Sequence, residues 1–145
     1  MKTSILGFLM TGLILSLGVG SSRAEHKATR DLEERSHEVN AAARKSGMRM
    51  AFERISTETG VPLGRVEDMH RRFPDLGASG VFVACVMADE TGKPPERFLE
   101  RRASGSTWTA IAHANRIRIE KLSARLDRLE RALAVPDDGG RRRRD

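Results

Sequence analysis

The sequence predicts an all-α protein with one small domain of five or six short helices. Three observations carry that prediction. Beyond residue 46, apolar residues recur at steps of three and four in short stretches bounded by Gly or Pro, the stride of amphipathic helices. The one strand-like run beyond the N-terminal apolar segment, residues 81–88, has no partner strand in the chain that follows residue 24. A Glu-Thr-Gly-x-Pro turn occurs twice, as a repeated helix-turn-helix elbow would require.

The N-terminus reads as an address. Met1-Lys2 gives a positive start, residues 5–20 are apolar apart from Thr11, Ser16 and glycines, and Ser22-Arg23-Ala24 sets small residues where a signal peptidase reads. Residues 1–24 are therefore expected to be a signal peptide cut between Ala24 and Glu25, with a periplasmic or secreted product. An uncleaved anchor is disfavoured, because the run has sixteen residues and a spanning helix needs about 20. The lone cysteine, Cys85, rules out an intramolecular disulfide and reads as a small core residue; exposed, it could bridge two chains.

Residues 25–46 are polar, with isolated Leu32 and Val39, and are expected to form at most a frayed helix. The helical domain is expected over 47–135. Met48, Phe52 and Ile55 make one helix face, ended by Gly60. Pro62 opens a second helix with Leu63, Val66, Met69 and Phe73, stopped by Pro74. Ser79 is a candidate N-cap for an apolar helix, 81–88, buried on most sides. Pro94-Pro95 begin a helix with Phe98 and Leu99, ended by Ser104-Gly105. Ser106 or Thr107 caps a short helix with Trp108, Ile111 and Ala112. After a turn at Asn115-Arg116, a last helix runs to about Ala134. Residues 55–66 and 87–98 are alike at an offset of 32, and 111–122 form a weaker third copy at an offset of 56.

That last helix carries Ile119, Leu122, Leu126, Leu129 and Leu133 at alternating steps of three and four, a heptad seam. Either the domain covers the seam, the favoured case, or a homodimer does. The excess of basic residues, 26 against 20 acidic, sits mostly at the far end. Arg141, Arg142, Arg143 and Arg144 follow a linker-like Pro136–Gly140, and 136–145 is expected to be a disordered basic tail. The tail could make weak, salt-sensitive contact with an anionic envelope surface.

The stretches Glu90-Thr91-Gly92-Lys93-Pro94 and Arg102-Ala103-Ser104-Gly105-Ser106-Thr107-Trp108-Thr109-Ala110-Ile111-Ala112 resemble a pattern in small exported bacterial helical proteins of unknown function. Those proteins show a Thr-Gly-Lys turn followed by Ser-Gly-x-x-Trp-x-x-Ile-Ala. The resemblance spans about residues 55–122 and departs at Arg116-Ile117, where the pattern carries Gly-Val. It implies export and a helical fold, and brings no activity.

Chemistry-bearing motifs are missing. His37-Glu38-Val39-Asn40-Ala41 lacks the second His of a zinc-protease helix, and there is no nucleophile elbow or phosphate loop. His26, His37, His70 and His113 are scattered. Met48, Met50, Met69 and His70 contain soft ligands that could suit Cu(I), but core packing explains the methionines better. No catalytic, cofactor or metal residue is therefore assigned, and no enzyme activity is expected. Residues 108–125 resemble a DNA-binding helix-turn-helix with Arg116, Arg118, Lys121 and Arg125, but Glu120, Asp127 and Glu130 interrupt the basic stripe. The expected function is an exported, non-enzymatic envelope or secreted interaction protein whose partner is an unknown protein or envelope component. A helix-turn-helix DNA binder is the alternative if the N-terminal run is not a signal.

Overall fold

The computed structural model describes residues 21–135. Of the expected signal peptide, 1–24, residues 1–20 lie outside the described residues, as does the tail from 136, while residues 21–24 and the expected cut after Ala24 fall in the first turns of α1. The described chain forms seven α-helices: α1 Ser21–Ser46, α2 Met48–Thr59, α3 Leu63–Arg72, α4 Gly77–Thr91, α5 Pro95–Ala103, α6 Trp108–Ala114 and α7 Ile119–Ala134. A 3₁₀ turn, Pro74–Leu76, joins α3 to α4. No strand occurs among the described residues.

Helix α4 is the axle. Its residues from Ala78 to Met87 are all buried, and it packs against α1, α2, α3, α5 and α7. An apolar run without a polar face suits only such a surrounded position. Each Val, Phe or Met buried there contributes about 1.5–3 kcal/mol of hydrophobic free energy.

The expectation of a frayed 25–46 segment gives way to the longest helix of the fold. Leu32, Val39 and Ala43 of α1 have no exposed surface and Ser36 is nearly as covered, so the core does not begin at residue 47. These four residues step by four, three and four, the same stride as the seam on α7. The α1 stripe is inconspicuous because two of its members are small. The branched aliphatics of α7 supply the bulk, and α1 makes its most extensive contact with α7. Arg35 pairs with Asp127, and further along Ala42 and Leu133 line the same groove, so the two helices run parallel. Ile119, Leu122, Leu126, Leu129 and Leu133 are thereby buried within a single chain.

The three interhelix turns at the predicted offsets each place a positive-φ residue at the aligned position. Gly60 and Gly92 sit in the left-handed region at φ 72° and 68°, and Arg116 occupies the equivalent place at φ 57°. The residue before each returns a side-chain bond to the carbonyl four residues back: Thr59 Oγ1 to Ile55 at 2.6 Å, Thr91 Oγ1 to Met87 at 2.8 Å, Asn115 Nδ2 to Ile111 at 2.8 Å. Two residues after each left-handed position, Pro62, Pro94 and Arg118 adopt the extended conformation (φ −55°, −60° and −75°) that starts the next helix. Lys93 Nζ donates to Asn115 Oδ1 at 2.6 Å, tying the second turn to the third.

Two cap predictions resolve differently. Thr107, rather than Ser106, caps α6, its Oγ1 accepting from the Ala110 N–H at 3.1 Å. Ser79 does not cap α4, because the helix already begins at Gly77 and places Ser79 in its first turn. The cap comes from another helix: Asn40 Oδ1 of α1 accepts the Ser79 N–H at 2.9 Å.

Candidate functional site

Helix α1 has two flanks beside its core stripe, and each borders a concavity. On one flank, Glu38, Ala41, Ala42 and Lys45 line an open groove of about 720 Å³ completed by Met50 of α2 and Glu130, Leu133 and Ala134 of α7. Val135 closes its end and is 59% exposed, the exposed large aliphatic of the described residues. The groove exists because small alanines face outward on α1 beside the parallel α7, leaving the ridge between the helices low. Its floor is apolar, Glu38 and Glu130 stand at one end, and Lys45 stands toward the other.

On the opposite flank lies a smaller polar pocket of about 100 Å³. Glu33, Ser36, His37 and Asn40 reach it from α1, where steps of three and four bring them to one face. Asp75 and Leu76 of the 3₁₀ turn, Ser79 of α4, Arg102 of α5 and Trp108 of α6 complete it. Arg102 Nη2 donates to Glu33 Oε2 at 2.7 Å, and Nη1 donates to the Ser106 carbonyl at 3.1 Å. The Arg102 guanidinium also stands 5.6 Å from the Trp108 ring centre. Glu33 Oε1 and Ser36 Oγ are buried without a protein partner. Unpartnered polar atoms at such depth are costly, about 1–3 kcal/mol each, and call for an explanation.

Sequence patterning missed both concavities. Spacing alone does not mark residues 33–45, because α1 shows only two large apolar residues, Leu32 and Val39. The legible signal was the stride Leu32, Ser36, Val39, Ala43, visible once small residues count as apolar.

The residues singled out in the sequence are dispersed. His37 is exposed at the rim of the polar pocket, and His26 is exposed at the start of α1. His70 stands 5.0 Å from the Phe52 ring, and burial lowers its pKa. His113 Nδ1 lies 3.6 Å from Glu25. Among the described residues no three His, Cys, Asp or Glu side chains gather as a metal site. Met69 is buried in the core while Met50 faces the groove, so these methionines are not brought to one point. Cys85 is buried in α4, and that burial pushes its thiol up to about 12.

Two of the four basic residues of the helix-turn-helix-like segment, Lys121 and Arg125, are engaged within the protein. Arg125 Nη2 donates to the Glu58 carbonyl at 2.9 Å, with its guanidinium 6.0 Å from the Phe82 ring. Lys121 pairs with Glu90 at 2.6 Å and Arg128 with Glu58 at 3.1 Å. Arg118 and Arg116 remain toward solvent. A bidentate Arg65–Glu96 pair, 3.0–3.2 Å, links α3 to α5. Burial is the largest influence on Glu96 and raises its pKa, but the Arg65 hydrogen bond, the backbone N–H of Glu96 and the charges of Arg65 and Arg72 together hold the carboxyl below its ordinary value.

No protein-family model matches this chain, and neither does any curated protein or solved structure. Among the described residues no helix is long and apolar enough to cross a membrane.

Proposed function

We propose that this protein is an exported, non-enzymatic interaction module that seats a helix of a partner protein in the groove between α1, α2 and α7. The observation that carries this reading is the groove itself. It is open, apolar-floored and bounded by two parallel helices, the geometry into which a third amphipathic helix lays its apolar face. Glu38 and Glu130 favour a basic residue at one end of that helix, and Lys45 favours an acidic residue at the other. The apolar N-terminal run with Ser22 and Ala24 supports export.

A photo-crosslinking residue at position 42, in intact cells, tests the reading. A discrete adduct is expected from Ala42 and not from exposed Arg97 on α5, and it should vanish in the Glu38→Lys/Glu130→Lys variant. The same adduct from both positions, or none from Ala42, overturns the groove as the interaction surface. Export is tested separately by N-terminal sequencing of the purified protein, which is expected to begin at Glu25; an intact Met1 in the cytoplasmic fraction sinks that part.

A further inference from the structure

We propose that the groove between α1, α2 and α7 is occupied, in the absence of a partner, by this chain's own residues 136–145, and that a partner helix must displace them. The inference rests on the reading of that groove as the binding surface and adds its regulation. The described chain delivers the segment to the groove: α7 ends at Ala134, and Val135, the residue next to the segment, lines the groove's end. The sequence then runs Pro136-Asp137-Asp138-Gly139-Gly140-Arg141-Arg142-Arg143-Arg144-Asp145, acidic first and basic after. The groove carries the complementary charges in the matching order. The Arg35–Asp127 pair sets Glu38 of α1 level with Glu130 of the parallel α7, and both carboxylates line the groove. Lys45 lies about two turns beyond Glu38, at the end where α7 stops. None of Glu38, Glu130 and Lys45 enters an ion pair among the described residues.

In this arrangement Asp137 and Asp138 meet Lys45, Gly139-Gly140 turn the chain back, and Arg141–Arg144 return along the groove to Glu38 and Glu130. Glycine takes either sign of φ, which suits a tight reversal. The return is within reach. Glu130 lies ~7.5 Å back along α7 from Val135, while the link from Val135 to Arg141 spans about 12–15 Å as a Gly-containing coil. Arginine also suits the groove's floor, since its methylene stem can lie along Ala41, Ala42 and Ala134 while its guanidinium pairs with a carboxylate. A basic run on so short a link meets the groove at a local concentration on the order of mM. A partner helix that brings a basic residue to Glu38 and Glu130 competes with it directly.

The test uses the purified full chain with a photo-crosslinking residue at position 42 and no partner present. Peptide mapping is expected to find position 42 joined to residues 136–145, with a yield that does not depend on protein concentration and falls as salt screens the ion pairs. The adduct should be lost in Glu38→Lys/Glu130→Lys and return when Arg141, Arg142, Arg143 and Arg144 are also changed to Glu. Changing those four arginines to Gly in the otherwise unaltered chain should abolish it too, so the test holds if the lysine variant does not fold. In intact cells the same Gly variant should raise the partner adduct from position 42 by about twofold or more, because the competitor is gone. No tail adduct, a tail adduct undiminished in the Gly variant, a yield that rises with protein concentration, or an unchanged partner adduct in cells would overturn the proposal. A partner adduct in cells without a tail adduct in the purified protein overturns the tail as occupant alone, and a tail adduct without a partner adduct overturns the partner reading alone.

Discussion

Asn40 caps a helix to which it is not joined: its Oδ1 accepts the Ser79 N–H at 2.9 Å across 39 residues of sequence. Gly77 makes room for it. A Cβ at Gly77 would lie 2.5 Å from Asn40 Oδ1, and the residue stands at φ 66°. The central helix α4 thus takes its N-terminal cap from α1, which couples the longest helix to the most buried one. Asn40→Ala is expected to lower stability by about 1 kcal/mol, the usual worth of a cap. Gly77→Ala should cost more, because at φ 66° and ψ −173° it holds a side-chain-bearing residue in a region open essentially to glycine, about 1–3 kcal/mol, in addition to the collision. Urea unfolding of both variants measures this, and an Asn40→Ala midpoint equal to wild type would refute the cap.

The third turn holds Arg116 where the first two hold glycine. A left-handed L-residue costs about 1–2 kcal/mol, and glycine gives back about 0.5–1 kcal/mol through its larger unfolded-state entropy. Arg116→Gly is therefore expected to stabilise the protein by about 0.5–1 kcal/mol. A thermal midpoint that falls instead would mean the Arg116 side chain contributes more than its backbone strain.

Leu126 lies mid-seam with no exposed surface, covered within one chain. Leu126→Lys buries a charge and is expected to destabilise strongly, with loss of helicity by circular dichroism. Sedimentation of the wild type is expected to give a concentration-independent monomer mass. A dimer abolished by Leu126→Lys with helicity intact would contradict both expectations.

Burial holds the His70 imidazole below its ordinary pKa, so the unfolded chain binds a proton there more readily than the folded one. Its contribution is full above the unfolded pKa of ~6.5 and is lost as pH falls through the folded value. Urea midpoints should drop between neutral and mildly acidic pH, and the drop should be smaller in His70→Gln. Equal drops in the two proteins would assign the acid sensitivity to other groups.

With its thiol raised to about 12 by burial, Cys85 is expected to resist iodoacetamide in the folded protein at mildly alkaline pH and to react readily in urea. Rapid alkylation of native protein would show that α4 opens far more often than its packing implies.

Much of the fold was legible in the chain because its signals are local. Gly60, Gly92, Pro62 and Pro94 punctuate helices through their own backbone preferences, and the five aliphatics of α7 declare a stripe by spacing alone. Arg116, aligned with the two glycines in the weaker third copy, also falls at a turn. What lies on the other side of a stripe is not local. Leu32, Ser36, Val39 and Ala43 form a face only against the bulk of α7, so the sequence read 25–46 as an end and the tertiary structure made it a wall of the core. The same holds for the sites. Asn40 becomes a cap, and Glu33 becomes the partner of Arg102, only because α4 and α5 arrive beside α1 from 39 or more residues away. Backbone punctuation is settled by neighbours in the chain; burial, capping at a distance and cavities depend on which surfaces meet.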